Sequence, residues 1–175
     1  PAHSPDDSAP SAAAVGENTG NYDITYVNGD LTISKATLTI TAKDQTYTYN
    51  GSAQGPAGTY TEGFDTYVTV EGLAEGDALT SITLSGSQTE AGTYEDEIVP
   101  SAAATTKGAD NYEITYVNGD LTINKATLTI TAKNQTYTYT GAAQGPAGTY
   151  TDGFDSYVTV EGLAEGDALT SITLS

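Results

Sequence analysis

The feature that most constrains this chain is an internal repeat with a period of 90 residues. Residues 36–85 return as residues 126–175, and the two stretches are identical at 45 of 50 positions without an insertion or deletion. The repeat also extends towards the N-terminus, since NYDITYVNGDLTISK at residues 21–35 recurs as NYEITYVNGDLTINK at residues 111–125. This period exceeds the roughly 20–50 residues of a solenoid repeat and suits a small domain. We therefore expect a tandem array of domains.

Apolar and polar residues alternate with a period of two along most of the repeat. Leu38, Ile40 and Ala42 alternate with threonines, which is typical of a strand with one buried side. Similar patterns predict strands at residues 47–49, 67–70, 79–84 and 93–99. The prediction is an all-β fold of tandem immunoglobulin-like β-sandwich domains. The alternative is a β-grasp-like fold with one short helix, if residues 73–79 form a helical crossing. The predicted core positions are Leu38, Ile40, Tyr49, Val68, Val70, Ile82, Leu84, Ile98, Tyr112, Ile114, Leu121 and Ile123.

Two Asn-Gly dipeptides, Asn28-Gly29 and Asn118-Gly119, lie between strand-like segments. Asn-Gly readily adopts the positive dihedral angles of a two-residue type I′ turn, so each dipeptide predicts a β-hairpin. In the resulting register, apolar residues meet across one face of the hairpin. The predicted pairs are Tyr26 with Leu31, Ile24 with Ile33, Tyr116 with Leu121 and Ile114 with Ile123.

A change in the apolar pattern predicts the domain borders. Leu31 and Ile33 occupy odd positions, whereas Leu38 and Ile40 occupy even ones. A strand that packs on a single core keeps its apolar residues at odd positions or at even positions along its whole length, unless a bulge interrupts it. The chain is therefore expected to pass from one core to the next near residues 35–37. This places a complete repeat domain at residues 36–125, the end of a preceding repeat at 1–35 and the start of a following repeat at 126–175. The alternative division gives units at 1–85 and 86–175.

The charge of the chain argues against several classes of partner. Twenty-three acidic residues and five lysines give a net charge of −18, which repels nucleic acid and anionic membrane surfaces. The acidity is expected to keep a long array soluble. The N-terminal segment lacks the basic and apolar character of a signal peptide, so a signal for export is expected outside these residues.

Catalytic chemistry is poorly represented in this sequence. The single histidine, His3, lies in an unrepeated N-terminal segment, so neither a Ser-His-Asp site nor another catalytic site is expected. A calcium site is the best metal candidate, because Glu71, Glu75 and Asp77 lie close together in the turn-rich segment EGLAEGDAL. No EF-hand spacing supports it, and the expectation is that no cofactor is required.

The tyrosines supply the candidates for ligand binding. Most of the 13 tyrosines fall on alternating strand positions beside Val, Ile or Leu, where packing is their ordinary role. Tyr60, Phe64 and Tyr67 surround a glycine-rich stretch and are the best candidates for stacking on a sugar or a peptide. Lys43 lies at a predicted strand end, where a charge deters edge pairing or, alternatively, a lysine cross-links to an asparagine.

A resemblance to a known family follows from three stretches of the repeat. They are KATLTITAKDQTYTYNGSAQ, VTVEGLAEGDALTSITLSG and NYEITYVNGDLTINK. Together they resemble the MBG-type repeats of bacterial cell-surface and adhesin-like proteins, which open with an apolar-threonine strand and carry a Tyr-x-Gly turn. The resemblance implies an extracellular module at the bacterial cell surface or cell wall, used in stalks, without catalytic residues.

The expected function is that of a stalk or spacer whose partners are neighbouring repeats of the same protein and which projects a functional head from the cell. One alternative is an adhesin repeat that binds a host glycan or protein, for which a repeated site gains avidity. The other is a subunit that joins head to tail through its incomplete terminal repeats, because partial sheets expose unpaired edges.

Overall fold

The computed structural model describes residues 10–13 and 16–175. This part of the chain forms strands, turns and short 3-10 helices, and none of its helices is long and apolar enough to cross a membrane. The 3-10 helices are Gly16–Asn21, Phe64–Thr66, Ala109–Asn111 and Phe154–Ser156. The strands are β1 (Ala36–Ala42), β2 (Gln45–Thr48), β3 (Gly58–Tyr60), β4 (Val68–Glu71), β5 (Leu79–Ser85), β6 (Gly92–Thr105), β7 (Tyr112–Val117), β8 (Gly119–Asn124), β9 (Thr129–Ala132), β10 (Gly148–Tyr150), β11 (Val158–Glu161) and β12 (Ile172–Leu174).

Strands β1 to β8, residues 36–124, form two sheets that we call the central unit. One sheet has the order β4-β1-β7 and the other the order β2-β8-β6-β5-β3. The main core lies between them, because Leu38 and Ile40 of β1 pack with Ile82 and Leu84 of β5. The prediction of an all-β sandwich is confirmed. Residues 72–78 form a loop instead of a helix, so the β-grasp-like alternative lacks its helical crossing.

Two parallel strand pairs run through the central unit from one end to the other. β1 pairs with β7 and β2 pairs with β8, with the same residue offset in both ladders (Thr41 opposite Val117, Gln45 opposite Leu121). Only Asn118 separates β7 from β8, and one residue of extended backbone does not reverse a chain. The chain therefore enters the central unit at one end, near Ala36, and leaves it at the opposite end.

The predicted hairpin at Asn118-Gly119 is wrong, because β7 and β8 belong to different sheets. Neither Asn118 nor Gly119 has a positive φ. Glycine is needed at 119 for another reason, since a Cβ atom there would lie 2.8 Å from the carbonyl oxygen of Ala42 at the end of β1. The residues predicted to pair with each other take other partners: Tyr116 lies opposite Ile40, Ile114 opposite Leu38, Leu121 opposite Gln45 and Tyr94, and Ile123 opposite Tyr47 and Gly92.

The equivalent hairpin at Asn28-Gly29 is also wrong. Residues 23–28 and 30–35 form no strand, and Gly29 alone takes part in a bridge. The four side chains predicted to meet across it, Ile24, Tyr26, Leu31 and Ile33, are exposed. A two-stranded hairpin is marginal on its own, and no strand within the described residues pairs with this segment in the way that β1 and β2 pair with β7 and β8.

Most of the predicted core positions are buried. Val70 and Ile114 are half-buried and pack against the main core. Tyr49 is the exception, because it is half-buried at the exit end of the central unit and its hydroxyl group reaches the following repeat. The buried positions are Leu38, Ile40, Val68, Ile82, Leu84, Ile98, Tyr112, Leu121 and Ile123.

Residues 126–175 repeat the local structure of residues 36–85. β9 pairs with β11 as β1 pairs with β4, and β10 pairs with β12 as β3 pairs with β5. The side-chain contact between Thr149 and Thr173 repeats the 2.9 Å contact between Thr59 and Thr83. The near-identical sequence therefore gives the same two strand pairs in both places.

Candidate functional site

The entry end of the central unit is held by a hydrogen-bonded cluster around Asp77, which lies in the loop between β4 and β5. The hydroxyl group of Tyr112 donates to Oδ2 of Asp77 at 2.7 Å. The backbone N–H groups of Ala78 and Lys107 donate to Oδ1 at 2.9 and 3.0 Å. The N–H group of Ala74 in turn donates to the Tyr112 hydroxyl oxygen at 3.1 Å. One carboxylate thus joins the β4–β5 loop, the end of β6 and the start of β7.

These contacts shift the protonation of both side chains. Partial burial by itself would raise the pKa of Asp77, but the hydrogen bonds from Tyr112, Lys107 and Ala78 outweigh it and lower the pKa to about 2. For Tyr112, the bond from Ala74 by itself lowers the pKa, while the hydrogen bond to Asp77 and burial together raise it above its ordinary value. The cluster therefore keeps Asp77 ionised to a lower pH, and Tyr112 protonated to a higher pH, than the two side chains would be without these contacts.

The three calcium candidates do not converge on one point. Glu71 and Glu75 are exposed, and the carboxylate of Asp77 accepts hydrogen bonds from the chain itself. Within the described residues no group of three or more His, Asp or Glu side chains is arranged to hold a metal ion. The ammonium group of Lys107 donates to the backbone carbonyl oxygen of Glu75 at 2.7 Å, which stabilises the same loop.

A cleft of about 300 Å³ lies beside this cluster, where the preceding segment meets the central unit. Its lining combines Ile33, Ser34 and Lys35 with the side chains of Tyr112 and Asp77. The position of the cleft makes it part of a junction between consecutive repeats.

The exit end of the central unit contacts the following repeat directly. The hydroxyl group of Tyr49 donates to Oδ2 of Asp167 at 2.9 Å, and this hydrogen bond is the first cause of the raised pKa of Tyr49. Two residues later, Gly51 has a φ of 83° and lies so close to the next repeat that a Cβ atom there would be 2.6 Å from the carbonyl oxygen of Glu165. The Tyr-x-Gly turn formed by Tyr49, Asn50 and Gly51 therefore packs on the loop at residues 163–167.

A second cleft, of about 310 Å³, lies at this exit junction. Tyr49 and Glu90 of the central unit line it on one side, and Leu128 and Leu163 of the following repeat line it on the other, with Lys125 between them. Both clefts thus lie where the chain passes from one repeat to the next.

The aromatic ligand candidates line neither of the two clefts. The rings of Tyr60 and Tyr67 contact each other with centroids 4.8 Å apart, and the Tyr60 hydroxyl group donates to the carbonyl oxygen of Pro56 at 2.8 Å. These two residues and Phe64 are half-buried and pack against the main core. Lys43 donates a hydrogen bond from its ammonium group to the backbone carbonyl oxygen of Asp65.

Sequence reasoning missed the contacts that two residues make at the two ends of the central unit. The alternation of apolar residues predicts Tyr49 in the core, and the spacing of the acidic residues predicts Asp77 at a metal site. The partners of both are distant in the sequence, since Tyr49 bonds Asp167 and Asp77 bonds Tyr112. The Tyr-x-Gly turn was the available signal for the first of them, because a turn at a strand end is well placed to meet the next repeat.

One comparison with known proteins supports this picture of a repeat module. Neither the curated proteins nor the solved structures gave a significant match to the chain. Residues 38–122 match the family model of the MBG domain of the YGX type. This stretch begins in β1 and ends in β8, so it spans the two-sheet sandwich almost completely. The central unit of this chain is an MBG domain of the YGX type.

Proposed function

We propose that the chain is a spacer within the stalk of an extracellular bacterial surface protein, where it holds a functional head away from the cell surface. The observation that carries this proposal is the pair of parallel ladders, β1 with β7 and β2 with β8, that run from the entry to the exit of the central unit. A module whose chain enters and leaves at opposite ends adds its own length to an array. Residues 36–48 would add up to about 40 Å at roughly 3.3 Å per residue.

The contacts at the exit junction support a spacer that resists bending. The hydrogen bond from Tyr49 to Asp167 and the close approach of Gly51 to Glu165 restrict the angle between consecutive repeats. A net charge of −18 adds mutual repulsion, which favours separation of repeats and of neighbouring stalks.

The same ladders suit a module that carries tension. The first and the last strands of the central unit are neighbours and run parallel, so a force applied through the two ends pulls them past each other lengthwise. All the hydrogen bonds of both ladders then bear the load together. A force that pulls β1 and β7 apart at the same end of the central unit would break these hydrogen bonds one after another.

Single-molecule force measurement tests this proposal. The chain has no cysteine, so handles can be attached through Lys35→Cys with Lys125→Cys, or through Lys35→Cys with Asp110→Cys. The first pair loads the ladders lengthwise, and the second, with both sites at the entry end, peels β1 from β7. We expect a clearly higher unfolding force for the first pair. Equal forces, or a lower force for the first pair, would contradict a tension-bearing spacer.

A further inference from the structure

The turn at the exit junction contains a further Asn-Gly dipeptide, Asn50-Gly51. This dipeptide lies in a bend outside the strands, whereas Gly119 of the Asn118-Gly119 dipeptide is the first residue of β8. The second copy of the repeat has Thr140-Gly141 at the position equivalent to Asn50-Gly51. The central unit thus contains the same dipeptide once in a bend and once at the start of a strand.

The side chain of Asn50 folds back onto the backbone that follows it. Its Oδ1 atom accepts a hydrogen bond from the N–H group of Ser52 at 2.9 Å. This hydrogen bond closes a ring, typical of an Asx turn, that includes the backbone nitrogen of Gly51. The bend therefore holds the side-chain carbonyl group of Asn50 close to the nitrogen atom that is able to attack it.

The reaction between these two groups needs only water. The Gly51 nitrogen loses its proton to solvent and forms a bond to the side-chain carbonyl carbon of Asn50. The negative charge that develops on Oδ1 is stabilised by the N–H group of Ser52. The bond to the side-chain nitrogen then breaks, ammonia leaves, and a five-membered succinimide ring remains. Water opens this ring at either carbonyl group, which gives aspartate or isoaspartate, and neither step oxidises or reduces the chain.

We propose that Asn50 is a site of spontaneous modification, where conversion to aspartate or isoaspartate loosens the exit junction with time. Both products place a new negative charge beside the carboxylates of Asp167 and Glu90, which already lie near the Tyr49 hydroxyl group. Isoaspartate also adds a methylene group to the main chain of the turn. The turn has no space for it, because even a Cβ atom on Gly51 would lie 2.6 Å from the carbonyl oxygen of Glu165.

The fold protects Asn118 from the same reaction. Both asparagine side chains are exposed, so exposure does not distinguish them. Ring closure at Asn118 requires rotation of the backbone at Gly119, which is buried and close to the carbonyl oxygen of Ala42. β8 must first separate from β2 and β6, and such local opening is rare in central strands.

Peptide mapping after incubation at mildly alkaline pH tests the site. Cleavage after the lysines places Asn50 and Asn118 on separate peptides, residues 44–107 and 108–125. Mass spectrometry measures the loss of each asparagine, and enzymatic methylation detects isoaspartate. In the folded chain Asn50 should react about tenfold faster than Asn118, or more, because only Asn118 waits for local opening. In urea the two should react at similar rates. Equal rates in the folded chain, or the same preference in urea, would overturn the proposal.

Amide hydrogen exchange tests the effect on the junction. Exchange in the loop at residues 163–167 should become faster after the incubation, in step with the conversion of Asn50. Asn50→Thr is the matched variant, because threonine occupies the equivalent position 140 and has no side-chain amide to lose. After the same incubation this variant should keep the exchange of the fresh chain, while any modification at other asparagines is common to both proteins. A converted Asn50 without faster exchange, or the same acceleration in Asn50→Thr, would contradict the proposal. Neither measurement applies force, so both are independent of the proposed spacer function.

Discussion

The hydroxyl group of Tyr112, the first residue of β7, lies 2.7 Å from Oδ2 of Asp77 in the loop before β5. This hydrogen bond joins two segments of the central unit that are distant in the sequence. Together with the two backbone N–H donors it lowers the pKa of Asp77 from 3.8 to about 2. Because the ionised form is favoured in the folded protein, Asp77 links the stability of the entry end to pH.

The first prediction concerns acid unfolding. The pKa of Asp77 is lower in the folded state, so its contribution to stability is complete above about pH 4 and is lost as the pH falls towards 2. Asp77→Asn should lower the unfolding temperature at neutral pH and flatten its decrease between pH 4 and 2. Circular dichroism melting curves across this range measure the effect. Asp152→Asn, at an exposed position, is the control for net charge, and a profile shared by both variants would refute the assignment.

The second prediction compares one side chain in its two copies. Ile82 is fully buried between the two sheets, whereas its counterpart Ile172 is half-exposed. Ile82→Ala should destabilise the central unit by about 2–5 kcal/mol through lost burial and a cavity. Ile172→Ala should leave the stability of that unit nearly unchanged. Urea unfolding followed by circular dichroism gives both values. Similar losses of stability in the two variants would contradict a core that contains Ile82 but not Ile172.

The third prediction tests why glycine is present at position 119. A Cβ atom there would lie 2.8 Å from the carbonyl oxygen of Ala42, so Gly119→Ala should cost about 1–3 kcal/mol by forcing β8 away from the end of β1. Gly20→Ala is the control, because a Cβ atom there meets nothing within 4 Å. Chemical unfolding distinguishes the two variants. A neutral Gly119→Ala would mean that the two strands are further apart than described.

The fourth prediction concerns the exit junction. Tyr49→Phe removes the hydrogen bond to Asp167 and should loosen the contact between the central unit and the loop at residues 163–167. Amide hydrogen exchange in this loop should become faster, while exchange in β1 and β5 stays unchanged. Tyr139→Phe is the matched control, since Tyr139 is the repeat equivalent of Tyr49 and is almost fully exposed. Identical exchange rates in both variants would show that Tyr49 does not stabilise the junction.

The strands of this fold were predictable, because the alternation of Leu38, Ile40 and Ala42 with threonine is a local property that the sandwich uses directly. The pairing of the strands was not predictable from the sequence. The Asn118-Gly119 dipeptide favours a local hairpin, but β8 instead finds β2 and β6, whose edges provide more pairing and burial than a single hairpin offers. Tertiary packing thus overrides a strong turn signal.

The candidate sites show the same division between local and distant information. Glu71, Glu75 and Asp77 were grouped because they are close in the sequence, but the loop turns Asp77 towards Tyr112 and leaves the two glutamates exposed. Tyr49 follows the alternation of a buried strand residue, yet it stands at the end of the sandwich and meets Asp167. Neither partner is visible from spacing alone, because Tyr112 lies 35 residues from Asp77 and Asp167 lies in the following repeat.

The parallel ladders also determine when the domain is able to fold. β1 and β2 are the first strands of the central unit and β7 and β8 are the last, so both ladders form only after nearly the whole repeat has been synthesised. Contacts between such distant residues make folding slow, since a long loop must close first. Until the ladders of one repeat have formed, its last strands are unpaired while the almost identical first strands of the next repeat are being synthesised. Accurate folding of such an array therefore depends on each repeat closing before the next one emerges.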